Sequence, residues 1–342
     1  MSTILQRNAD LKAHNTFGIA AKAEALARFG SSHGLRQLLA APELARLPRL
    51  VLGGGSNLLF TKDFPGLVLL NEVPGIGVVR EDETHVWLKA GAGVVWHELV
   101  LHAVQNGWGG IENLSLIPGK VGAAPMQNIG AYGVEIKDTF DSLEALRVSD
   151  GEVIVFDALA CRFGYRESFF KREGKDQFVI ISVTFRLTKQ HVLNTSYGNI
   201  QQELERTGVT HPTIKDVSDA VIAIRRSKLP DPAILGNAGS FFKNPVVPVA
   251  VVEKIRANYP DLVSYPAGDG HTKLAAGWLI EKAGWKGARS KTGECGVHDR
   301  QALVLVNYGG ATGKAVYDLS EQVLRSVQER FGVELEREVN II

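Results

Sequence analysis

Two glycine-rich segments in the first half of the chain constrain its fold more than any other sequence feature. Residues 53–57 read Gly-Gly-Gly-Ser-Asn and residues 117–133 read IPGKVGAAPMQNIGAYG, and each follows strand-like sequence. Glycine lets the backbone press against a ligand, and successive backbone N–H groups form concave anion sites that suit a diphosphate. The alternative is a set of tight turns in an irregular fold. Two such segments close together favour the ligand-binding interpretation.

The first segment does not match either of the common nucleotide-binding loops. A Walker A loop ends in Gly-Lys-Ser/Thr, and no such ending follows residue 55. A Rossmann fingerprint needs glycine or alanine where this chain has Leu58. The chain therefore lacks both signatures.

Hydrophobic patterns elsewhere predict an α+β fold with short strands and few long helices. The predicted strands are residues 50–52, 66–70, 85–90, 143–148, 153–156, 179–187, 303–306 and 333–339. The predicted helices are residues 95–103, 217–226, 273–282 and 316–327. Asp150-Gly151 lies between two of the strands and predicts a tight hairpin turn.

Charge and composition exclude several classes of function. With 38 Lys and Arg against 37 Asp and Glu, the net charge of +1 gives no electrostatic case for nucleic acid or an anionic membrane. No apolar stretch approaches ~18 residues, and the N-terminal segment MSTILQRNADLKAHNTFG lacks the apolar region of a signal peptide. Cys161 and Cys295 are too few for a disulfide framework or a cysteine zinc site. We therefore expect a cytoplasmic enzyme or binding protein.

The histidines and serines do not form the common catalytic motifs. His97-Glu98 begins like a zinc-protease motif, but the next histidine, His102, falls one residue too late. Ser168 and Ser240 lack the Gly-x-Ser-x-Gly elbow of many hydrolases. The nine histidines show no metal-like spacing, so no metal site is expected.

Several motifs together make the chain resemble a known family of flavoenzymes, the UDP-N-acetylenolpyruvoylglucosamine reductases. The motifs extend over nearly the whole chain. They are NTFG at 15–18, GGGSNLL at 53–59, IPG at 117–119, QNIGAYG at 127–133, CRFGYR at 161–166, KLPDP at 228–232, GSFFKNP at 239–245 and KLAAGWLI at 273–280. In addition, Ser196-Tyr197-Gly198 resembles the tyrosine loop of the longer, type I members.

The resemblance implies an FAD-binding domain of the vanillyl-alcohol-oxidase type over residues 14–187, built from two small α+β subdomains. Residues 188–342 would form a C-terminal α+β substrate domain, whose last strand returns to the active site. The absence of a Rossmann signature agrees with this fold, because a fold of this type holds the diphosphate with loops. The implied cofactor is FAD, with NADPH as the reductant. A monomer that binds small molecules, and neither nucleic acid nor membrane, is expected.

The implied reaction reduces the enolpyruvyl ether of UDP-N-acetylglucosamine to UDP-N-acetylmuramate, a step of peptidoglycan precursor synthesis. A hydride reaches the terminal carbon of the double bond, and the carbanion left beside the carboxylate is stabilised as an enol and protonated. The family match assigns Arg166 and Glu338 to the enol and Ser240 to the proton. The family usually has proline where this chain has Arg337, so Glu336 stays an alternative to Glu338.

By the same resemblance, the residues expected to bind FAD lie in or directly beside the two glycine-rich segments. They are Gly53, Gly54, Gly55, Ser56, Asn57, Leu58, Ile117, Pro118, Gly119, Gly122, Ala123, Gln127, Asn128, Gly130, Ala131, Tyr132 and Gly133. The residues expected to contact the substrate are Tyr165, Tyr197, Arg225, Lys228, Asn244, Tyr265 and Gln301. A local positive cluster suits UDP and NADPH, because both are anionic.

Two other functions stay open at this point. One is a different flavin oxidoreductase of the same binding fold, such as an oxidase of a small alcohol or sugar, which needs neither the serine donor nor a cation pocket for UDP. The other is a flavin- or nucleotide-binding protein without turnover. The combination of Arg166, Ser240 and Glu338 argues against the second.

Overall fold

The computed structural model describes residues 5–342. The first four residues, part of the segment predicted to contain no signal peptide, lie outside the described residues. The described chain divides into two compact units that alternate along the sequence. Unit 1 comprises the segment that ends at Ala9, Ala23–Gly54 and Pro65–Ser227, and unit 2 comprises Asp10–Lys22, Gly55–Phe64 and Lys228–Ile342.

The elements follow one another as a mixture of short strands and helices. The strands are β1 (Leu5–Asp10), β2 (Lys22–Phe29), β3 (Arg49–Leu52), β4 (Leu58–Leu59), β5 (Phe64–Asn71), β6 (Ile76–Glu81), β7 (His85–Gly91), β8 (Gly130–Ala131), β9 (Val134–Glu135), β10 (Phe140–Arg147), β11 (Val153–Asp157), β12 (Phe178–Thr188), β13 (Gly236–Ser240), β14 (Val246–Pro248), β15 (Ser264–Pro266), β16 (His271–Leu274), β17 (Cys295–Val297), β18 (Val304–Asn307) and β19 (Asn340–Ile341). The α-helices are α1 (Ser32–Ala40), α2 (Trp96–Gln105), α3 (Ala158–Cys161), α4 (Ile200–Arg206), α5 (Ile214–Lys228), α6 (Val249–Arg256), α7 (Ala276–Lys282) and α8 (Gly313–Phe331). Short 3-10 helices occur at Lys12–His14, Glu112–Leu114, Val121–Ala123, Pro125–Gln127, Ile136–Asp138 and Phe169–Lys171.

One sheet of unit 1 has the strand order β1-β2-β5-β3, in which β3 and β5 are parallel. Phe29 of β2 and Leu67 and Leu69 of β5 form a core with the apolar face of α1. This helix begins after Ser31, whose side chain accepts a hydrogen bond from the backbone N–H of Gly34. The strands predicted at 50–52 and 66–70 are confirmed in this sheet.

The other large sheet of unit 1 has the order β11-β10-β12-β7-β6, and each neighbouring pair is antiparallel. The alternating side chains of β7 that were predicted to share a face, such as Val86 and Leu88, are fully buried and pack in one core with residues of α2. After β7 the chain pairs with the second glycine-rich segment, where Val121 N donates to Val94 O at 2.9 Å. This sheet therefore supports the segment predicted to bind FAD.

Helices α4 and α5 add a small third core to unit 1. Ile200, Leu204 and Val221 are buried in it, and Tyr132 of the second glycine-rich segment packs against it. The two units describe how the chain packs, and the predicted domain boundary between residues 187 and 188 stays a prediction.

Unit 2 contains the sheets β13-β18-β17 and β14-β16-β15 and the parallel pair β4-β19. Its longest helix, α8, begins after Thr312, whose side chain accepts a hydrogen bond from Ala315 N. The helix ends at Gly332, which has a φ of 67°. The predicted apolar stripe of α8 is confirmed, because Val316 and Val323 are fully buried.

Two predictions for unit 2 are wrong in detail. Lys273 and Leu274 lie in β16 and not in a helix, because β16 is the central strand between β14 and β15, and this pairing overrides the local helical pattern. Residues 333–339 alternate in burial as predicted, but only Arg337 forms a bridge, with Phe242. A regular strand begins at Asn340, because the backbone of this segment bonds first to residues 241–243 and then to residues 57–61.

Across residues 5–342, no helix combines the length and apolar character needed to cross a membrane. In the same part of the chain, no group of three His, Cys, Asp or Glu side chains is arranged to hold a metal ion.

Candidate active site

The two glycine-rich segments meet within unit 1. A Cβ atom on Gly54 would lie 3.0 Å from the Cα of Gly119, and one on Gly53 would lie 3.5 Å from the Cβ of Lys120. A Cβ on Gly122 would lie only 2.5 Å from a preceding alanine side chain. The close approaches at Gly54 and Gly122 favour glycine, because a side chain there would collide with its neighbours. Glycine at these positions lets stretches of main chain lie side by side. Such backbone fits the diphosphate of a dinucleotide, so the chain's own residues are compatible with bound FAD.

The rest of the first glycine-rich segment belongs to unit 2 and is held by the NTFG motif. Gly55 has a φ of 61°, and a Cβ there would lie 2.1 Å from the carbonyl oxygen of His14. The Thr16 backbone N–H donates to the Gly55 carbonyl at 3.0 Å. Both the positive φ of Gly55 and the closeness of the His14 carbonyl oxygen exclude a side chain at this position.

Asn237 joins the same motif to the strand that carries Ser240. Thr16 Oγ1 donates to the Asn237 carbonyl at 2.6 Å, and Asn237 N donates back to the Thr16 carbonyl at 3.0 Å. The Asn237 amide group donates to two carbonyls at 3.1 and 2.8 Å, and its Oδ1 accepts from Gly239 N at 2.9 Å. This buried asparagine therefore fixes the backbone that leads into Ser240.

Ser240 and Glu338 lie on neighbouring backbone segments of unit 2, which we call the Ser240 strand pair (residues 239–243 with 336–338). Ser240 is paired with Val304 of β18, and the carbonyl of the next residue, Phe241, accepts a hydrogen bond from Glu338 N at 2.8 Å. Ser240 and Glu338 are both half-buried. The structure thus brings together two of the three predicted catalytic residues along one backbone ladder.

The neighbours of Glu338 are tied to other parts of unit 2. Lys243 N donates to the Glu336 carbonyl at 2.8 Å, and the nearly buried Lys243 Nζ lies 2.6 Å from Glu336 Oε1. Arg337 Nε donates to Ser320 Oγ of α8 at 2.8 Å. Arginine in place of the family's usual proline is thus accommodated by a contact with α8.

The end of the chain also contacts the first glycine-rich segment. The backbone N–H and the amide group of Asn340 both donate to the Asn57 carbonyl, at 3.1 and 2.9 Å. Asn57 Nδ2 donates to the Glu338 carbonyl at 3.4 Å. Residues predicted to bind FAD, Asn57 and Leu58, therefore lie beside the segment that carries Glu338.

Arg166 lies in unit 1, in a four-residue turn that we call the Arg166 turn (residues 164–167). Gly164 N donates to the Glu167 carbonyl at 3.0 Å, and Glu167 N donates back at 3.3 Å. Arg166 has a φ of 57°, its Nη2 donates to the Gly130 carbonyl at 2.6 Å, and its Cζ lies 5.3 Å from the Tyr165 ring centroid. A left-handed non-glycine residue stores strain of the kind that often marks functional sites. The turn places Arg166 against the second glycine-rich segment.

Asn128 holds the Arg166 turn from inside the protein. The residue is fully buried and has a φ of 45°. Its Nδ2 donates to the Gly164 carbonyl at 3.0 Å and to Glu135 Oε2 at 2.9 Å, and its Oδ1 accepts from Lys137 N at 3.1 Å. The side chain is thus used within the protein, and a contact of residue 128 with FAD stays a prediction.

The tyrosine loop lies next to the second glycine-rich segment in unit 1. A Cβ on Gly133 would lie 3.1 Å from the Cβ of Tyr197, and Asn194 Nδ2 donates to the Gly133 carbonyl at 3.2 Å. A Cβ on Gly198 would lie 3.4 Å from the ring of Tyr132, whose pKa is raised by burial. The predicted substrate residue Tyr197 is 40% exposed, so a ligand can reach it.

Two adjacent arginines of α5, Arg225 and Arg226, lie near His97 of α2. Arg225 Nε donates to the Leu116 carbonyl at 3.2 Å, while Leu116 N donates to His97 Nδ1 at 3.0 Å. Burial lowers the pKa of His97, and the positive charges of Arg226 and Arg225 lower it further. Burial also lowers the pKa of Arg225. Arg225 and Lys228, at the end of α5, were predicted from the sequence as substrate contacts, whereas His97 and Arg226 were not. The adjacent pair Arg225-Arg226 was the available sequence signal for a local positive charge.

The other predicted substrate contacts lie in unit 2. Asn244 Oδ1 accepts a hydrogen bond from Ala276 N at the start of α7, at 2.9 Å. Gln301 lies at the same helical turn, because its Oε1 would be 3.0 Å from a Cβ on Gly277. The structure therefore brings Asn244 and Gln301 together, while Tyr265 lies on β15.

Most of the chain matches models of known protein families. Residues 23–157 match the family model of an FAD-binding domain, and residues 231–342 match that of the UDP-N-acetylenolpyruvoylglucosamine reductase C-terminal domain. Proteins named UDP-N-acetylenolpyruvoylglucosamine reductase from Burkholderia cenocepacia strain HI2424 and Burkholderia lata are 55% and 56% identical to the chain over 330 residues. Each alignment covers 96% of this chain and 94% of the relative.

A solved structure shows the same fold. The crystal structure of UDP-N-acetylenolpyruvylglucosamine reductase from Thermus caldophilus covers 100% of this chain and 99% of its own, with a TM-score of 0.66 and 24% sequence identity. The predicted α+β fold, with an FAD-binding domain and a C-terminal domain of this type, is confirmed. Because relatives of more than half identity span nearly its full length, the chain belongs to the UDP-N-acetylenolpyruvoylglucosamine reductases, a family of FAD-binding oxidoreductases.

Proposed function

We propose that the protein reduces the enolpyruvyl ether of UDP-N-acetylglucosamine to UDP-N-acetylmuramate with electrons from NADPH. The observation that carries the proposal is the hydrogen bond between Glu338 N and the Phe241 carbonyl. It places the Glu338 backbone opposite the residue that follows Ser240, in a chain whose relatives carry the reductase name. When bound, FAD would supply the two-electron chemistry, because it can take a hydride from NADPH and give one to the terminal carbon of the double bond.

Arg166 would stabilise the negative charge that grows on the substrate carboxylate after hydride transfer. Its planar guanidinium matches a carboxylate in geometry and can donate two parallel hydrogen bonds to it. The hydrogen bond from Nη2 to the Gly130 carbonyl fixes the orientation of the group before substrate arrives. A preorganised cation of this kind stabilises the transition state without reorganisation.

Ser240 would deliver the proton to the carbon that carries the carboxylate. A serine hydroxyl is a weak acid, but the enol carbanion is a strong base, so transfer is favourable when the two atoms are in contact. Asn237 and the pairing with β18 fix the backbone at Ser240. The serine would recover its proton from solvent after the product forms.

Glu338 would assist Arg166 at the same carboxylate. In its protonated form a glutamate can donate a hydrogen bond to an oxygen on which charge grows. The alternative, Glu336, already has its carboxylate 2.6 Å from Lys243 Nζ, and its side chain is 65% exposed. Because Glu336 is this exposed whereas Glu338 is half-buried, Glu338 is favoured as the catalytic glutamate.

The remaining predicted contacts would bind the nucleotide part of the substrate. Arg225 and Lys228 supply positive charge for the diphosphate, and Tyr197 would cover the bound molecule. Asn244 and Gln301, which both lie against the first turn of α7, would bind its polar groups. The proposal includes a monomer that acts in the cytoplasm, where NADPH and UDP-linked sugars are made.

An anaerobic visible spectrum of the purified protein tests this function. The account predicts flavin bands that bleach with NADPH and return when the enolpyruvyl ether is added. UDP-N-acetylglucosamine without the enolpyruvyl group is the control, and it should leave the bands bleached. Bands that return only with oxygen would identify another flavoenzyme, and a protein that takes up no FAD would overturn the proposal.

A further inference from the structure

Arg337 lies between Glu336 and Glu338, and its side chain is anchored to α8. Its Nε donates to Ser320 Oγ at 2.8 Å, and its Nη2 donates to Glu321 Oε1 at 2.5 Å. Its Cζ lies 4.6 Å from the ring centroid of Tyr317. The Arg337 side chain is 19% exposed. A mostly buried arginine with three partners on one helical face is fixed in orientation.

The backbone on both sides of Arg337 bonds to the segment that follows Ser240. The Glu336 carbonyl accepts from Lys243 N, and Glu338 N donates to the Phe241 carbonyl, each at 2.8 Å. These two hydrogen bonds surround the single bridge between Arg337 and Phe242. A ladder this short has few bonds to resist twisting, so a side-chain anchor has a large influence on it.

Side chains alternate along an extended segment, so Arg337 and Glu338 point to opposite sides of it. Since Arg337 faces α8, Glu338 faces away from that helix. An anchor on one side therefore sets the rotation of the segment and with it the direction of the Glu338 carboxyl group.

We propose that Arg337 is a positioning residue, which fixes the direction of Glu338 opposite Phe241, the residue after Ser240, by tying residues 336–338 to α8. The catalytic consequence rests on the proposed roles of Ser240 and Glu338. Misplacement of a reacting group by ~1 Å costs up to ~100-fold in rate. Arg337 itself would touch neither cofactor nor substrate.

Rapid-mixing kinetics of the FAD-loaded protein test the catalytic consequence. In Arg337→Ala, we expect reoxidation of the reduced flavin by the enolpyruvyl ether to slow by ~10- to 100-fold, with reduction by NADPH changed less than about twofold. The reoxidation rate of Arg337→Lys should lie between those of the wild type and Arg337→Ala, because lysine can keep the pairing with Glu321 but cannot also reach Ser320. Lys314→Ala, which breaks the exposed pair with Asp318 on the same helix, should change neither rate.

Amide hydrogen exchange tests the anchor itself without any substrate. In Arg337→Ala, the amides of Lys243 and Glu338 should exchange at least ~10-fold faster, while those of Leu305 and Val306 in β18 stay protected. Unchanged exchange at Lys243 and Glu338 would overturn the proposal whatever the substrate is. Equal slowing of both half-reactions would also overturn it, since a general loss of structure would explain that result. A wild-type protein that the ether does not reoxidise would overturn the proposed function instead, and hydrogen exchange would still decide whether Arg337 holds the segment.

Discussion

The Arg166 turn and the Ser240 strand pair hold their proposed catalytic side chains in different ways. At the Arg166 turn, two left-handed residues, Arg166 in the turn and Asn128 behind it, donate side-chain hydrogen bonds to backbone carbonyls. In the Ser240 strand pair, successive main-chain hydrogen bonds link Phe241 and Lys243 to the end of the chain. The first region depends on a few irreplaceable side chains, whereas the second distributes its restraint over the backbone. Substitutions in the two regions should therefore differ in what they damage.

The largest effect is expected within the Ser240 strand pair. Ser240→Ala removes the proposed proton donor but none of the main-chain hydrogen bonds, so kcat should fall by ~10²- to 10⁴-fold with little change in stability. Steady-state assays with NADPH and the enolpyruvyl ether measure it, with Ser264→Ala of β15 as the control. A kcat close to that of the wild type would remove Ser240 from the mechanism.

The next effect is expected in the Arg166 turn. Arg166→Lys keeps the positive charge but loses the planar fork, so kcat should fall by ~10²- to 10³-fold. The same assay applies, and Arg147→Lys, at a surface ion pair with Asp150, is the matched control. A wild-type kcat in Arg166→Lys would show that a positive charge alone suffices. The hydrogen bond that orients the Arg166 guanidinium on the Gly130 carbonyl would then have no role in catalysis.

The sequence predicts the regular strands of the fold better than it predicts either of these two regions. The alternation of Val86 and Leu88 and the turn at Asp150-Gly151 gave correct strands, because local patterns dictate them. Residues 333–339 showed the right alternation, but their partners lie about 95 and about 280 residues away and carry no local signal. The left-handed backbone of Arg166 had no signal at all, because non-glycine residues adopt it only when surrounding contacts require it. His97 was missed because its environment is created by Arg225 and Arg226 from a distant helix.

Two buried asparagines, one behind the Arg166 turn and one leading into Ser240, distinguish the two kinds of restraint. Asn128 and Asn237 each make three side-chain hydrogen bonds, so Asn128→Ala and Asn237→Ala should each lower the free energy of unfolding by about 2–4 kcal/mol. Only Asn128→Ala should also lower kcat by ~10-fold, because the Arg166 turn has no ladder to replace the lost bonds. Chemical denaturation and steady-state kinetics measure the two effects. An equal or larger loss of kcat in Asn237→Ala would mean that the ladder gives no such protection.

The smallest expected effect concerns acid stability. The pKa of His97 is lowered from 6.5 by burial and by Arg226 and Arg225. The unfolded chain therefore takes up a proton below pH 6.5 that the folded chain resists, and stability falls as the pH falls, by at most ~1.4 kcal/mol per pH unit. His97→Asn, whose Oδ1 can accept from Leu116 N, should flatten the fall in thermal midpoint between about pH 7.5 and about pH 5.

His298 of unit 2 is the control for this acid effect. Its pKa is also lowered by burial, but the carboxylate of Asp299 opposes the shift. His298→Asn should therefore change the acid profile less than His97→Asn does. A wild-type pH profile in the His97 variant would show that another group controls acid unfolding of unit 1.

Although Arg166 and Ser240 are held so differently, we propose that they serve the same chemical step. Anaerobic rapid mixing of Arg166→Lys and Ser240→Ala, each loaded with FAD, tests it most directly, because it separates reduction by NADPH from reoxidation by the enolpyruvyl ether. We expect reduction to stay within about threefold of the wild-type rate in both variants, while reoxidation slows by at least ~100-fold in both. A variant in which the reduction step carries the loss, or in which both steps slow equally, would show that Arg166 and Ser240 do not act together in the reoxidation step.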